Sequence, residues 1–421
     1  MTAAALVTIA ETWYVGNLGL LPLAGMALVF PLVMLQQMLS AGSMGGAISS
    51  AISRALGAGD HNKANALVLH ATYIAIVIGI FFTLLFGVWG EPIFKLMGGT
   101  GEALTHCLAY AQVAFLGSLS VWLTNALASV IRGSGNMKMP SVVLLTASMA
   151  QVILSGVLGL GWGPIPSLGM QGIAAGFLIA FSASAIYFFM YLRSPRSPLQ
   201  LQFNQPLSKP LFLDILKVGA MSSISSFLTV ATILVLTRLI SSFGPAALAG
   251  YGIGSRLEFL LVPMTFAFGV ACVPMVGMAL GANMVLRAKQ VAWYGALMSA
   301  SLIGSIGLVV TFWPHVWAGI FTDNESVLAH ASQYFLWVGP CYGFFAVGLC
   351  LYFASQGAGK MLGPVLAGTL RLAIVTSGGI WLTQHQGTAF QMYGLIAFGM
   401  VSYGLATAWA VYKVSWARAL S

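Results

Sequence analysis

Three ionisable residues stand inside stretches that are otherwise apolar: Glu11 in ALVTIAETWYV, and Arg256 with Glu258 in LAGYGIGSRLEFLLVP. A charge at bilayer depth costs at least ~2.5–3.5 kcal/mol on insertion scales, so such residues mark pathways or are paired within the protein. A carboxyl in that setting suits reversible protonation, and Glu11, Glu258 and Arg256 are the candidate cation-coupling residues. Arg256 and Glu258 are two positions apart, so on a helix they do not face one another and each must pair with a different neighbour. Tyr14, Gln36, Gln37, Asn125, Gln151 and Ser155 are candidates for lining a substrate cleft. The competing reading of the amides is a bond to a neighbouring helix, at ~0.6 kcal/mol on average. Arg371 is expected to snorkel towards the membrane surface.

The composition says what must position these residues. Of 421 residues, 59% are hydrophobic and 6% are charged. Soluble domains carry about 25% charged residues, so a soluble globule is excluded. The 49 glycines suit close helix packing in lipid. A net charge of +9 reads as topology-determining loop residues rather than as a nucleic-acid surface. The cysteines (Cys107, Cys272, Cys341, Cys350) show no CxxC spacing and the six histidines are scattered, so neither a metal site nor a cofactor is expected. No nucleophile–base pair stands at membrane depth, which argues against an enzyme. No basic leader precedes the apolar N-terminus, so no cleavable signal peptide is expected.

Apolar runs between polar breaks predict twelve helices: to Val15, then 21–56, 64–88, 104–131, 140–158, 169–192, 215–243, 245–280, 288–312, 327–355, 364–382 and 392–416. The first is short, rising only ~22 Å at 1.5 Å per residue against a hydrocarbon core of ~30 Å. Either its start lies upstream or the helix is stunted. The segment RSPRSPLQLQFNQPLSKP (Arg193–Pro210) reads as an exposed linker between an N-terminal lobe, residues 1–192, and a C-terminal lobe, residues 211–421. Of the 17 Lys and Arg residues, all but Lys95, Arg238, Arg256 and Arg371 fall in alternate breaks or the C-terminus. The positive-inside rule then puts both termini in the cytoplasm, with the chain multi-pass in the cell membrane. Pro31, Pro263, Pro274 and Pro340 are expected to interrupt helices and make the second and eighth of them bending elements.

The halves repeat. LGAGDHNKA (Leu56–Ala64) matches LGANMVLRA (Leu280–Ala288), and IRGSGNMKMP (Ile131–Pro140) matches SQGAGKMLGP (Ser355–Pro364), both 224 residues on. LAG recurs at Leu23–Gly25 and Leu248–Gly250, and MQG (Met170–Gly172) echoes MYG (Met392–Gly394). With six helices per half, the copies share one topology: parallel repeats about an axis along the membrane normal, with a central cleft expected between the lobes.

With ETWYVGNLGLLPLAG, SRALGAGD, IRGSGNMKMP and SRLEFLLVP…VGMALGA in this order, nearly the whole chain resembles the multidrug and toxic compound extrusion (MATE) family. The resemblance implies cation-coupled export of small organic compounds by alternating access. It places the family's helix 1 acid on Glu11 and its helix 5 Asn-x-x-x-Asp pair on Gln151 and Ser155. The family's helix 7 glutamate and helix 10 aspartate have no counterpart in SSISSFLTVATILV or GPCYGFFAVGLCLYF. The expected coupling ion is therefore H+ rather than Na+, the expected substrate cationic or amphipathic, and the expected state a monomer without nucleic-acid partners. A lipid-linked oligosaccharide flippase of the same superfamily is the alternative, disfavoured by the few intramembrane arginines; a sodium-coupled exporter or a channel stands lower.

Overall fold

A computed structural model describes residues 2–162 and 166–416. Met1, at the start of the first expected helix, and Arg418, among the C-terminal cations, lie outside them. The regular structure of the described residues is all helical. Ten helical stretches are long and apolar enough to cross a bilayer, and a pair bent by 45° makes an eleventh. With the 17-residue first helix, these are the twelve expected segments.

In chain order the helices are α1 (Thr2–Leu18), α2 (Leu20–Gln37), α3 (Gly45–Gly57), α4 (His61–Leu96), α5 (Gly101–Leu116), α6 (Ser118–Gly133), α7 (Lys138–Leu160) and α8 (Gly169–Arg193). They continue with α9 (Lys209–Ser241), α10 (Pro245–Gly281), α11 (Val285–Phe312), the five-residue α12 (Pro314–Ala318), α13 (Glu325–Val338), α14 (Tyr342–Gly357), α15 (Leu362–Gln384) and α16 (Ala389–Lys413). A π-helical turn, Met38–Met44, joins α2 to α3 as one span, and a 3-10 turn at Gly339–Cys341 joins α13 to α14. α5 and α6 form the bent pair, broken at Gly117.

Local chemistry sets several boundaries. Asp60 caps α4 by accepting the Lys63 amide, Asn324 caps α13 by accepting that of Val327, and Thr388 and Gln391 form a capping box on α16. The prolines act unequally. Pro340 falls in the 3-10 turn and Pro31 precedes the π-helical turn, but α10 runs unbroken through both Pro263 and Pro274. Each proline removes one backbone donor; here the rest of the ladder is long enough to carry the helix past it.

The chain divides into two compact units, Thr2–Gly219 and Ala220–Ser421. The division falls inside α9, beyond the expected linker, which is mostly exposed but anchored at several points. Leu199 and Leu201 are buried, Gln200 donates its amide to Asn65 Oδ1 (3.0 Å), and Ser208 donates its amide to His70 Nε2 (2.9 Å). Asp214 then pairs with Arg54 at 2.7 Å and Lys63 at 3.6 Å. These bonds hold the linker and the first turns of α9 to the N-terminal unit.

Within each unit the helices pack in the same way. In the N-terminal unit α2/α3 packs on α4 and on α5/α6, α5/α6 on α4, α7 and α8, and α7 on α8; the C-terminal unit repeats every one of these pairings with α10, α11, α13/α14, α15 and α16. The backbone carries the same signature. Left-handed residues recur 224 or 225 positions apart as Gly19 and Gly244, Gly59 and Asn283, Gly135 and Gly359, Gly161 and Gln386. The turn after α3 bonds Ala58, Gly59 and Asp60 amides to Arg54, Leu56 and Ala55 carbonyls; the turn after α10 does so with Ala282, Asn283 and Met284 on Met278, Leu280 and Ala279. A Cβ on Gly25 would lie 2.8 Å from the Ala103 oxygen, and one on Gly250 would lie 2.9 Å from the Ala331 nitrogen, so the LAG glycine admits close helix approach in both units. These correspondences support the duplication expected from sequence.

Candidate functional site

Glu11 is buried in the N-terminal unit, 6% exposed, and is the one charged residue of its helix. Gln151 donates from Nε2 to Glu11 Oε1 at 2.8 Å, and Ser155 Oγ lies 3.3 Å from the same oxygen. Ser155 Oγ is also 3.0 Å from the Ile173 carbonyl on α8. One hydroxyl hydrogen thus has two acceptors, on α1 and on α8. Ser155 is fixed by close backbone packing: a Cβ on Gly176 of α8 would sit 2.5 Å from its nitrogen. Gln151 and Ser155 are four apart on α7, so one helix face presents both to Glu11. Tyr14, one turn beyond Glu11, is buried with its ring edge-on to Trp162 at 5.5 Å. Sequence reasoning thus named four residues that the fold gathers.

A second polar cluster surrounds the π-helical turn. Asn125 donates from Nδ2 to Gln37 Oε1 (3.1 Å) and to Ser40 Oγ (2.8 Å), Ser129 donates to the Asn125 carbonyl (2.7 Å), and Arg132 donates to Ser129 Oγ (2.7 Å). Asn125 is 4% exposed and Ser40 2%. The amides here tie α2 to α6, as the helix-bonding reading expects. Gln36 belongs to neither cluster: it is buried and its Nε2 has no partner. Adjacent residues on a helix point about 100° apart, which places Gln36 outside the cluster that Gln37 joins. Ser40, Ser129 and Arg132 carry no sequence signal beyond the IRGSG motif.

In the C-terminal unit Arg256 and Glu258 separate, as their spacing requires. Arg256 is exposed and lies 5.0 Å from the Phe321 ring centre. Phe321 follows α12, whose Trp317 donates to the Ile253 carbonyl at 3.0 Å and stacks edge-on with Phe321. Arg256 is therefore held by an aromatic contact and not by a buried carboxylate. Glu258 accepts the Tyr334 hydroxyl instead. Tyr334 belongs to an aromatic cluster with Tyr251 and Tyr393, at 5.8 and 5.5 Å between ring centres. Arg371 does not snorkel. Its Nε is buried, and its guanidinium lies over Phe345 of α14 at 5.1 Å, inside the unit. The tyrosines and the inward turn of Arg371 were not legible, since both depend on packing between distant segments.

Among the described residues no group of three or more His, Cys, Asp or Glu is arranged to hold a metal. The four cysteines are free thiols.

The MatE family model matches residues 1–157 and 222–378. Among curated relatives, a probable multidrug resistance protein, NorM, of Thermotoga maritima is 24% identical over 410 residues, 95% of this chain and 83% of that protein. A protein of Shewanella oneidensis named as an FAD transporter is 23% identical over 353 residues, 83% of this chain and 76% of that protein. Among solved structures, the Vibrio cholerae MATE transporter VcmN in a bent form superposes with a TM-score of 0.89 at 21% identity, covering 98% of this chain and 93% of that one.

Proposed function

The chain belongs to the MatE family of transporters, and from that premise we propose that it is a secondary active antiporter exporting cationic or amphipathic organic compounds against an inward flow of protons. The observation that carries the coupling ion is the Glu11 site: a buried carboxylate whose hydrogen-bond partners, Gln151 and Ser155, are both neutral. An ionised carboxylate so placed lacks a compensating charge, so taking up a proton relieves the site. Sodium would ask for several oxygen ligands at once, and here the Gln151 amide nitrogen faces the carboxylate.

The geometry also couples the proton to helix position. With Glu11 ionised, the Ser155 hydrogen turns to Glu11 Oε1 and links α7 to α1. With Glu11 protonated, the carboxylic acid becomes a donor, Ser155 Oγ accepts from it, and the Ser155 hydrogen passes to the Ile173 carbonyl on α8. The two protonation states therefore favour different arrangements of α1 against α7 and α8, which is the differential interaction a conformational change requires. Substrate and proton compete by favouring opposite arrangements. The relatives named for multidrug resistance and for FAD transport support an organic substrate. The cation bias of the loops supports a cell-membrane orientation with both termini cytoplasmic.

The test is transport in everted vesicles with an imposed pH gradient. Glu11→Gln is expected to lose proton-driven substrate movement while the protein still inserts and folds; unaltered movement removes Glu11 from the mechanism.

A further inference from the structure

Two of the four thiols are brought together in a way that the transport reading does not use. Cys272 on α10 and Cys350 on α14 stand 78 residues apart in the chain, and the fold brings their sulfurs to 3.9 Å. Both side chains are buried, at 4% and 0% exposure, in an apolar core that α11 completes with Ala288, Ala292 and Ala296. Cys272 Sγ also lies 3.9 Å from the Val291 carbonyl of α11. One turn on, Gly295 faces the pair. A Cβ there would stand 2.4 Å from Cys272 Sγ and 3.5 Å from Cys350 Sγ, and no other described atom outside the local turn of α11 comes within 4 Å of that position. The N-terminal unit shows that packing alone does not ask for these residues. The positions 224 residues before Cys272, Cys350 and Gly295 are Ile48, Ala126 and Ala71, all buried. The same crossing of three helices closes there with hydrocarbon, with neither a thiol nor a glycine.

We propose that Cys272 and Cys350 form a two-thiolate site for a soft, thiophilic divalent metal ion, with Gly295 keeping its place clear. Thiolates select soft ions over hard ones. With metal–sulfur bonds of ~2.3 Å, sulfurs 3.9 Å apart subtend roughly 115° at the ion, close to a trigonal angle. The Val291 carbonyl stands at the same 3.9 Å from Cys272 Sγ, which suits a weak third ligand. A disulfide, at ~2.05 Å between sulfurs, would instead need the pair to close by roughly 1.9 Å in a packed core. Charge selects among the soft ions. A divalent ion held by two thiolates leaves a neutral centre, and neutrality is what membrane depth favours. Binding from neutral mercuric chloride balances without electron transfer. Two sulfur–hydrogen and two mercury–chlorine bonds break, two mercury–sulfur bonds form, and two protons leave with two chlorides. The bound ion ties α10 to α14 within the C-terminal unit.

The probe is mercuric chloride, titrated into the purified full chain in neutral detergent. Cys107→Ala and Cys341→Ala form the background, so that only the paired thiols remain. Uptake is read by the ultraviolet charge-transfer absorption of mercury on thiolate, with 2-mercaptoethanol as competitor, and by the thermal unfolding temperature. One ion per chain is expected, with a rise in unfolding temperature because the ion binds the folded form. Cys272→Ser and Cys350→Ser keep the side-chain size and are each expected to lower the affinity by about 100-fold or more, since residues that merely orient metal ligands are already worth ~10–100-fold. Gly295→Ala keeps both thiols but fills the space between them, and a loss of about tenfold or more is expected. Where Gly295→Ala does not fold, the two serine variants decide. Two ions per chain, or an affinity unchanged by either serine substitution, overturns the proposal. No substrate or pH gradient enters the measurement, so its outcome is independent of the transport reading.

Discussion

The two units share a helix plan but place their acids at different points of it. Glu11 lies on the first helix of the N-terminal unit and meets Gln151 and Ser155. The residues 225 or 224 positions on are Leu236, Val375 and Gly379, and Leu236 and Val375 are buried in one apolar core. Conversely, Tyr334 and Arg371 of the Glu258 cluster correspond to Tyr110 and Ala147, both buried, and the Glu258 position corresponds to Val33 or Met34. Each unit has therefore filled with hydrocarbon the place where the other keeps its charge. A duplicated scaffold keeps its backbone turns and its small-residue contacts, because those fix helix spacing. Its polar sites are free to diverge, because each is local to three or four side chains.

That contrast is most sharply broken by exchanging the acids' roles. Glu11→Gln is expected to reduce proton-driven export by about 100-fold, the upper range of ordinary coupling energies; a pH-jump uptake assay in proteoliposomes reads it. The sign follows from the site: with no carboxyl to ionise, the arrangement favoured by the protonated state persists at every pH, so the variant loses its pH response as well as its rate. The shared scaffold is tested by Gly25→Val and Gly250→Val. Each is expected to destabilise by about 2 kcal/mol through overpacking against α5 or α13, seen as matching falls in thermal unfolding temperature. Gly16→Val, where a Cβ would meet nothing within 4 Å, changes little. A large effect at one member of the LAG pair alone would break the equivalence of the units. Ser155→Ala removes the shared hydrogen while Gln151 remains, and a loss of about fivefold in export is expected. Glu258→Gln should leave proton-driven export of a cationic substrate within about twofold.

Much of this was legible in the sequence, for physical reasons that also mark where legibility stops. The twelve segments follow from apolar run length, and the duplicate turns from LGAG and LGAN, which supply left-handed residues just past a helix. Glu11, Gln151 and Ser155 could be read together because Gln151 and Ser155 share a helix face and the MATE resemblance set them opposite Glu11. The place of Arg371 could not be read, since its contact with Phe345 joins two helices far apart in the chain. The anchoring of the linker was not legible for a similar reason. Its prolines and basic residues read as an exposed tether, and the bonds of Gln200 to Asn65, Ser208 to His70 and, at the start of α9, Asp214 to Arg54 that hold it to the N-terminal unit join segments far apart in the chain. Asn125 bonds both Gln37 and Ser40, a tie between helices that the residue types alone do not distinguish from cleft lining.

The central claim is that Glu11 and not Glu258 carries the exchangeable proton. Its most direct test is the proton released when a cationic substrate binds the purified protein in weakly buffered solution at constant pH. Wild type and Glu258→Gln are expected to release the same fraction of a proton per bound substrate, and Glu11→Gln none. Release that survives in Glu11→Gln, or that disappears in Glu258→Gln, would contradict the account.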